Sequence, residues 1–142
     1  MIRPMVVLTV GLVLGSGAAS SRPELSQSDR EAVIRRIRDC DVAGRICDVS
    51  IGRLVASPEA FHGKTVRVTG VASVHFEGNR LSPSRGYADL KGTLWVDFDR
   101  DKHNELDGKV AVVEGTFDGL TFGHWDCCGG AILNVTRTQV VH

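Results

Sequence analysis

Phe61–Gly70 reads FHGKTVRVTG and Leu106–Gly115 reads LDGKVAVVEG, so one pattern, hydrophobic-x-Gly-Lys-x-x-x-Val-x-Gly, occurs twice in the chain. Each copy is a glycine turn that feeds a strand. In the first, Val66, Val68, Gly70 and Ala72 share one face while Thr65, Arg67, Thr69 and Ser73 share the other. Ala111, Val113, Gly115 and Phe117 are the matching positions of the second, and alternation of period two places one face of each strand on a core. A glycine inside each strand predicts a bulge or sharp bend, because a residue without a side chain lets the strand coil where a barrel closes.

Working outward, Leu94–Phe98 predicts a third strand with Leu94, Val96 and Phe98 inward, and Ala131–Thr138 the last one. A shorter strand follows the EGN turn, around Arg80–Ser82. Two long bent strands with shorter ones between and after them make a mainly β chain, a five-stranded OB-like Greek-key barrel. A helix precedes it: Ser28-Asp29-Arg30-Glu31 matches a capping box. Val33, Ile34 and Ile37 then form one narrow apolar stripe for docking, opposite a solvated face of Arg35, Arg36 and Arg38. A short helical turn over Ile51–Ala56 ends at the Ser57-Pro58 breaker.

The first residues set the expected compartment. MIRP carries one positive charge, Met5–Leu14 is an apolar run, and GSGAAS follows, which is the three-part pattern of a secretory signal peptide with cleavage after Ala19 or Ser20. The run is shorter than the roughly 20 apolar residues that cross a bilayer, so no transmembrane anchor is expected after processing. The organisation read from the sequence is a signal peptide at 1–20, a linker and N-terminal helix at 21–48, and an OB-like barrel domain at 49–142, in a periplasmic or secreted protein. Lys and Arg number 17 against 17 Asp and Glu. Such a balance lacks the basic excess that phosphate recognition uses, which opposes a nucleic-acid partner.

The stretch from Val49 to Val135 also resembles a family of small exported proteobacterial proteins, uncharacterised in activity, with a single OB-like domain. The likeness rests on SPEAFHGKTVRVTGVASVHFEGN, LWVDFD, LDGKVAVVEGTFDG and a GH followed by a glycine-rich turn into ILNVTR. It implies the fold and leaves the cysteines outside the shared pattern.

Four cysteines, Cys40, Cys47, Cys127 and Cys128, predict disulfides in an exported chain. Two arrangements fit: a local Cys40–Cys47 bridge around DVAGRI, or a clamp from that pair to the 127–128 loop. A bond between adjacent cysteines closes an eight-membered ring and is read as poor geometry. FGHWDCCGG, Phe122–Gly130, raises a metal or redox alternative through His124, Cys127 and Cys128. It has neither the paired spacing of a zinc site nor a CxxC at a helix start, so no metal and no cofactor is assigned, and His124 is expected to hydrogen-bond within its own loop. DFDRDKHNELDG imitates a calcium loop at Asp97, Asp99 and Asp101 but has Lys102 where glycine is required. No catalytic motif is present, so the chain reads as a non-enzyme. Asn134 begins a glycosylation sequon by pattern only.

The function expected is an exported binding or interaction module for an envelope glycan, a peptide or a protein partner. Single-stranded nucleic acid and a metal, haem or redox accessory role are the alternatives. Trp95 must point outward if Leu94 and Val96 point in. With Tyr87 and Arg85 it is the candidate stacking platform for a ring-bearing ligand, and the competing expectation is that a loop or the N-terminal helix covers it.

Overall fold

A computed structural model describes residues 24–142, with the backbone alone at 36–39. The expected signal segment and its cleavage point lie outside the described residues. In chain order the elements are α1 (Gln27–Asp41), β1 (Cys47–Asp48), α2 (Ile51–Ala56), α3 (Pro58–Phe61), β2 (Thr65–Ser73), β3 (Arg80–Ser82), β4 (Leu94–Val96), α4 (Arg100–His103), β5 (Val110–Asp118) and β6 (Ala131–Val140).

The two repeated stretches become β2 and β5, which pair antiparallel with Val68 opposite Val113. β2 continues to β3, β3 to β4, β4 runs parallel to β6, and β6 returns antiparallel to β5. These five strands close a barrel in the OB-like order, and β1 adds a sixth strand parallel to β2. β1 has only two residues, too few to carry a period, and so leaves no signal of its own in the sequence.

The faces follow the alternation. Val66, Val68, Ala72, Ala111, Val113 and Phe117 are fully buried, and Leu81, Leu94, Val96 and Ile132 close the core from the other strands. At Gly70, β2 passes from β5 to β3. A Cβ there would lie 2.6 Å from the Ser82 carbonyl and 2.8 Å from Leu81 and Ile51, so only glycine lets these pieces meet. Gly115 sits at a register shift between β5 and β6, opposite a bulge in which Asn134 takes a positive φ of 49°.

α1 departs from its expected role in two ways. Ser26, two residues before the expected cap, accepts from the Asp29 amide (3.2 Å). The chain offers two overlapping patterns, Ser26-x-x-Asp29 and Ser28-x-x-Glu31, and the helix uses the first. Val33 and Ile34 are 42% and 48% exposed, so the apolar stripe does not dock there. The helix meets the barrel at its C-terminal end, through the Cys40–Cys47 disulfide and a Lys64–Asp41 ion pair (3.7 Å). α2 begins as expected, with Ser50 capping the Arg53 amide, and buries Ile51 and Leu54.

Both disulfides are local: Cys40–Cys47 and Cys127–Cys128. The bond between neighbours, which the sequence reading set aside, is formed, and the clamp is not. β1 carries Cys47 to the outer side of β2, whereas Cys127 and Cys128 lead into β6 beside β4, with β3 between. Each cysteine therefore finds its partner within its own segment.

Candidate functional site

The outward side of β4 is where the chemistry collects. Leu94 and Val96 are fully buried, which turns the Trp95 indole outward, with Arg80 of β3 directly across from it. Two loops rise on either side, Val74–Asn79 between β2 and β3 and Gly119–Gly130 between β5 and β6. Together with β4 they enclose a cleft of about 260 Å³, lined by His75, Phe76, Glu77 and Asn79 from the first loop, Trp95 on the floor, Arg100 of α4, and His124 from the second loop. In this fold ligands are held on the second and third barrel strands and on the loops joining strands one to two and four to five. Here those are β3, β4 and these two loops.

The first loop is held from below. The Val74 amide donates to Asp107 (2.9 Å), and Asn79 donates through Nδ2 to the Phe98 carbonyl (3.1 Å). Asn79 Oδ1 is buried and receives no hydrogen bond from the chain. Phe76 stands out at the tip, 70% exposed, with the Arg100 guanidinium 5.5 Å above its ring.

The second loop lies on the floor. Gly123 has a φ of 77°, and a Cβ there would come within 2.7 Å of the Trp95 side chain, so the loop backbone rests directly on the indole. His124 stacks over Trp95 (centroids 6.4 Å, planes 29° apart), and Trp125 meets His124 edge-on (5.1 Å, 89°). Trp125 is 85% exposed. Trp125 and Asp126 both adopt left-handed backbone, at φ 59° and 50°. Such conformations cost about 1 to 3 kcal/mol per non-glycine residue and persist only when the surroundings impose them. The exposed indole offsets little of that cost beyond its edge-on contact with His124. The adjacent constraints are the Cys127–Cys128 bond, the Cys128 amide on the Phe122 carbonyl (2.9 Å) and the Lys91 ammonium on the Asp126 carbonyl (2.6 Å).

His124 and Glu77 join the two loops across the cleft, Nε2 to Oε1 at 3.5 Å. His124 thus leaves its own loop for its partner, contrary to the sequence expectation. At the loop's start the Asp118 carboxyl is held below its ordinary range, first by the Leu120 amide, with Thr121 and the nearby His62 acting in the same direction.

The platform expected from sequence is only partly assembled. Trp95 is present, half-buried because the β5–β6 loop covers it, so the covering expectation holds in part. Tyr87 and Arg85 do not line the cleft. Tyr87 packs against Gly92, and the Arg85 guanidinium donates to the Gly108 carbonyl. Their segment, between β3 and β4, turns toward the start of β5. Phe76, Glu77, Arg100, His124 and Trp125 take the expected places. The signal for them lay in HFEGN and GHW, the two loop stretches that flank β4 once the strand order is known.

Other sequence features resolve as structure. Asp99 caps α4 by accepting from the Asp101 amide (3.0 Å), and Asp97 is exposed just beyond β4. Among the described residues no three His, Cys, Asp or Glu side chains converge as a metal site requires. A larger groove of about 400 Å³ runs between Cys40–Arg45 and His62–Thr65, but no Phe, Tyr or Trp side chain lines it. Comparison of the chain with family models, with curated proteins and with solved structures found no match. No helix among the described residues is long and apolar enough to cross a membrane.

Proposed function

We propose that the chain is an exported OB-like binding module of the cell envelope, acting by binding and not by catalysis, and that its cleft holds a sugar ring of an envelope glycan. One observation carries this reading: an outward indole on β4 lies at the base of a cleft whose two walls each raise an exposed aromatic, Phe76 on one and Trp125 on the other. Aromatic faces stack on the apolar faces of pyranose rings, and the groups beside them supply hydroxyl partners. Glu77 accepts, while Arg100 and Arg80 donate. The balance of 17 cationic and 17 anionic residues supports a glycan over a polyphosphate. The signal-like N-terminus, the two disulfides and the likeness of turn spacing to small exported proteobacterial proteins support the envelope as the place of action.

The test is titration of the oxidised, processed protein with soluble peptidoglycan fragments, followed by tryptophan fluorescence. Saturable quenching is expected, with affinity reduced about tenfold or more by Trp95→Ala, since a stacked ring contributes about 1 to 3 kcal/mol. No saturable binding, equal binding by the variant, or tighter binding to a single-stranded oligonucleotide would each overturn the reading.

A further inference from the structure

We infer that the Cys127–Cys128 bond is a redox latch on the cleft: closed, it holds His124 over Trp95 with Trp125 edge-on to His124, and opened by a dithiol it releases them and weakens ligand binding. The inference rests on the proposed binding role of that cleft and concerns its regulation.

Three observations point to it. The bridge adds no cross-link between distant parts of the chain, because its cysteines are neighbours. Closing a one-residue separation removes little freedom from the unfolded chain, so stabilising the fold is a poor account of it. It directly follows Trp125 and Asp126, the two consecutive left-handed residues of the loop, beside which His124 lies over the floor and Trp125 meets His124 edge-on. Its ring of eight atoms contains the planar peptide between the two cysteines, so the bond and the turn before it constrain one another.

Accessibility differs between the two sulfurs' residues. Cys128 is buried at 1% exposure, while Cys127 is half-exposed. An incoming thiolate of a protein or small-molecule dithiol therefore attacks Cys127 Sγ. That forms a mixed disulfide and expels Cys128 as a thiolate, which takes a proton from solvent. The reductant's second thiolate attacks its own sulfur in the mixed disulfide and leaves with an intramolecular disulfide, having given up two electrons. Cys127 departs as the second thiolate and is protonated. The loop then has two thiols, and the left-handed turn loses its covalent constraint. Residues 125 and 126 return to ordinary backbone, which carries the exposed Trp125 and the His124 ring away from Trp95.

The experiment places the full oxidised protein in a graded series of reduced and oxidised dithiothreitol. Thiol tagging with peptide mapping measures which bridge opens, tryptophan emission reads the loop, and peptidoglycan fragments serve as the binding probe. Cys127–Cys128 should open at a poise that leaves Cys40–Cys47 closed. Emission should change at that same poise, affinity should fall about tenfold, and both should recover on reoxidation. The double variant Cys127→Ser/Cys128→Ser should resemble the reduced protein without a reductant. Should that variant fail to fold, the reversible titration decides alone. Opening of the pair with unchanged emission, or opening only together with global unfolding, would overturn the latch. Fragments that do not bind the oxidised protein would overturn the glycan reading, while the emission response would still decide whether the loop moves.

Discussion

The barrel has two unlike sides. On one, β2, β5 and β6 form a wall of long strands, and Val66, Val68, Val113 and Phe117 of β2 and β5 are buried on the inside. On the other, β3 and β4 have three residues each, and most of the surface belongs to the two loops and their exposed rings. Stability is concentrated in the wall, where each inward side chain is surrounded by others. On the other side Leu81, Leu94 and Val96 join that core, while the two loops outside them are held by hydrogen bonds, a bridge between neighbours and the stacking of three aromatic groups. A substitution should therefore be read differently on each side: as a change in folding on the wall, as a change in recognition on the rim.

The sharpest way to break that distinction compares two phenylalanines. Phe117 is fully buried, and Phe117→Ala should cost about 3 to 5 kcal/mol by denaturant unfolding, the lost transfer energy plus a cavity the closed barrel cannot collapse. Phe76→Ala, at an exposed loop tip, should stay within about 0.5 kcal/mol. Equal costs would mean that the first loop is part of the core.

The same contrast governs what could be read from the sequence. The wall was legible because repetition and alternation are properties of neighbours in the chain: the doubled Gly-Lys-x-x-x-Val-x-Gly pattern gave both long strands and their inward residues directly. The rim was not, because its contacts join residues far apart in sequence. Glu77 and His124 lie on different loops, and their meeting depends on where β4 sits between them. Tyr87 and Arg85 looked adjacent to Trp95 along the chain, yet the segment between β3 and β4 carries them elsewhere. The adjacent cysteines are the instructive case: ring size argued against the bond, whereas their surroundings include a left-handed turn that local pattern does not encode.

A smaller effect is expected on the outer face of the wall. Arg67, Glu114 and Arg137 lie in one row across β2, β5 and β6. The Glu114 carboxylate is nearly buried, with Arg67 Nε at 2.8 Å and Arg137 at 3.6 Å. The two guanidiniums are substantially solvated, so water screens the pair and compensates them when the carboxylate is lost. Glu114→Ala should accordingly destabilise by about 1 to 2 kcal/mol, the range for hydrogen bonds to a charged group discounted for exposure. Glu114→Gln should recover part of it. Full recovery by glutamine would show that shape and not charge holds the row together.

The smallest expected effect lies at the seam, where β5 ends and the covering loop begins. Asp118 Oδ1 accepts from the amides of Leu120 (2.8 Å) and Thr121 (3.1 Å), and Oδ2 accepts from the Thr121 hydroxyl (2.9 Å). His62 Nδ1 lies 3.5 Å from the same carboxylate and accepts from the Gly119 amide at 3.1 Å. The loop amides, led by Leu120, favour the ionised carboxylate and put its folded-state pKa below the ordinary 3.8. The sign follows from that depression. The contribution is fully present above the unfolded value and is lost as pH falls through 3.8 and on through the lower folded value. The Leu120 and Thr121 amide resonances, followed by NMR from about pH 6 to about pH 2, should hold their positions until below that ordinary value and then move together. Asp118→Asn keeps an acceptor oxygen and should abolish the titration with a stability change under about 1 kcal/mol. Movement of these amides at or above the ordinary carboxylate value would show that Asp118 does not organise the start of the loop.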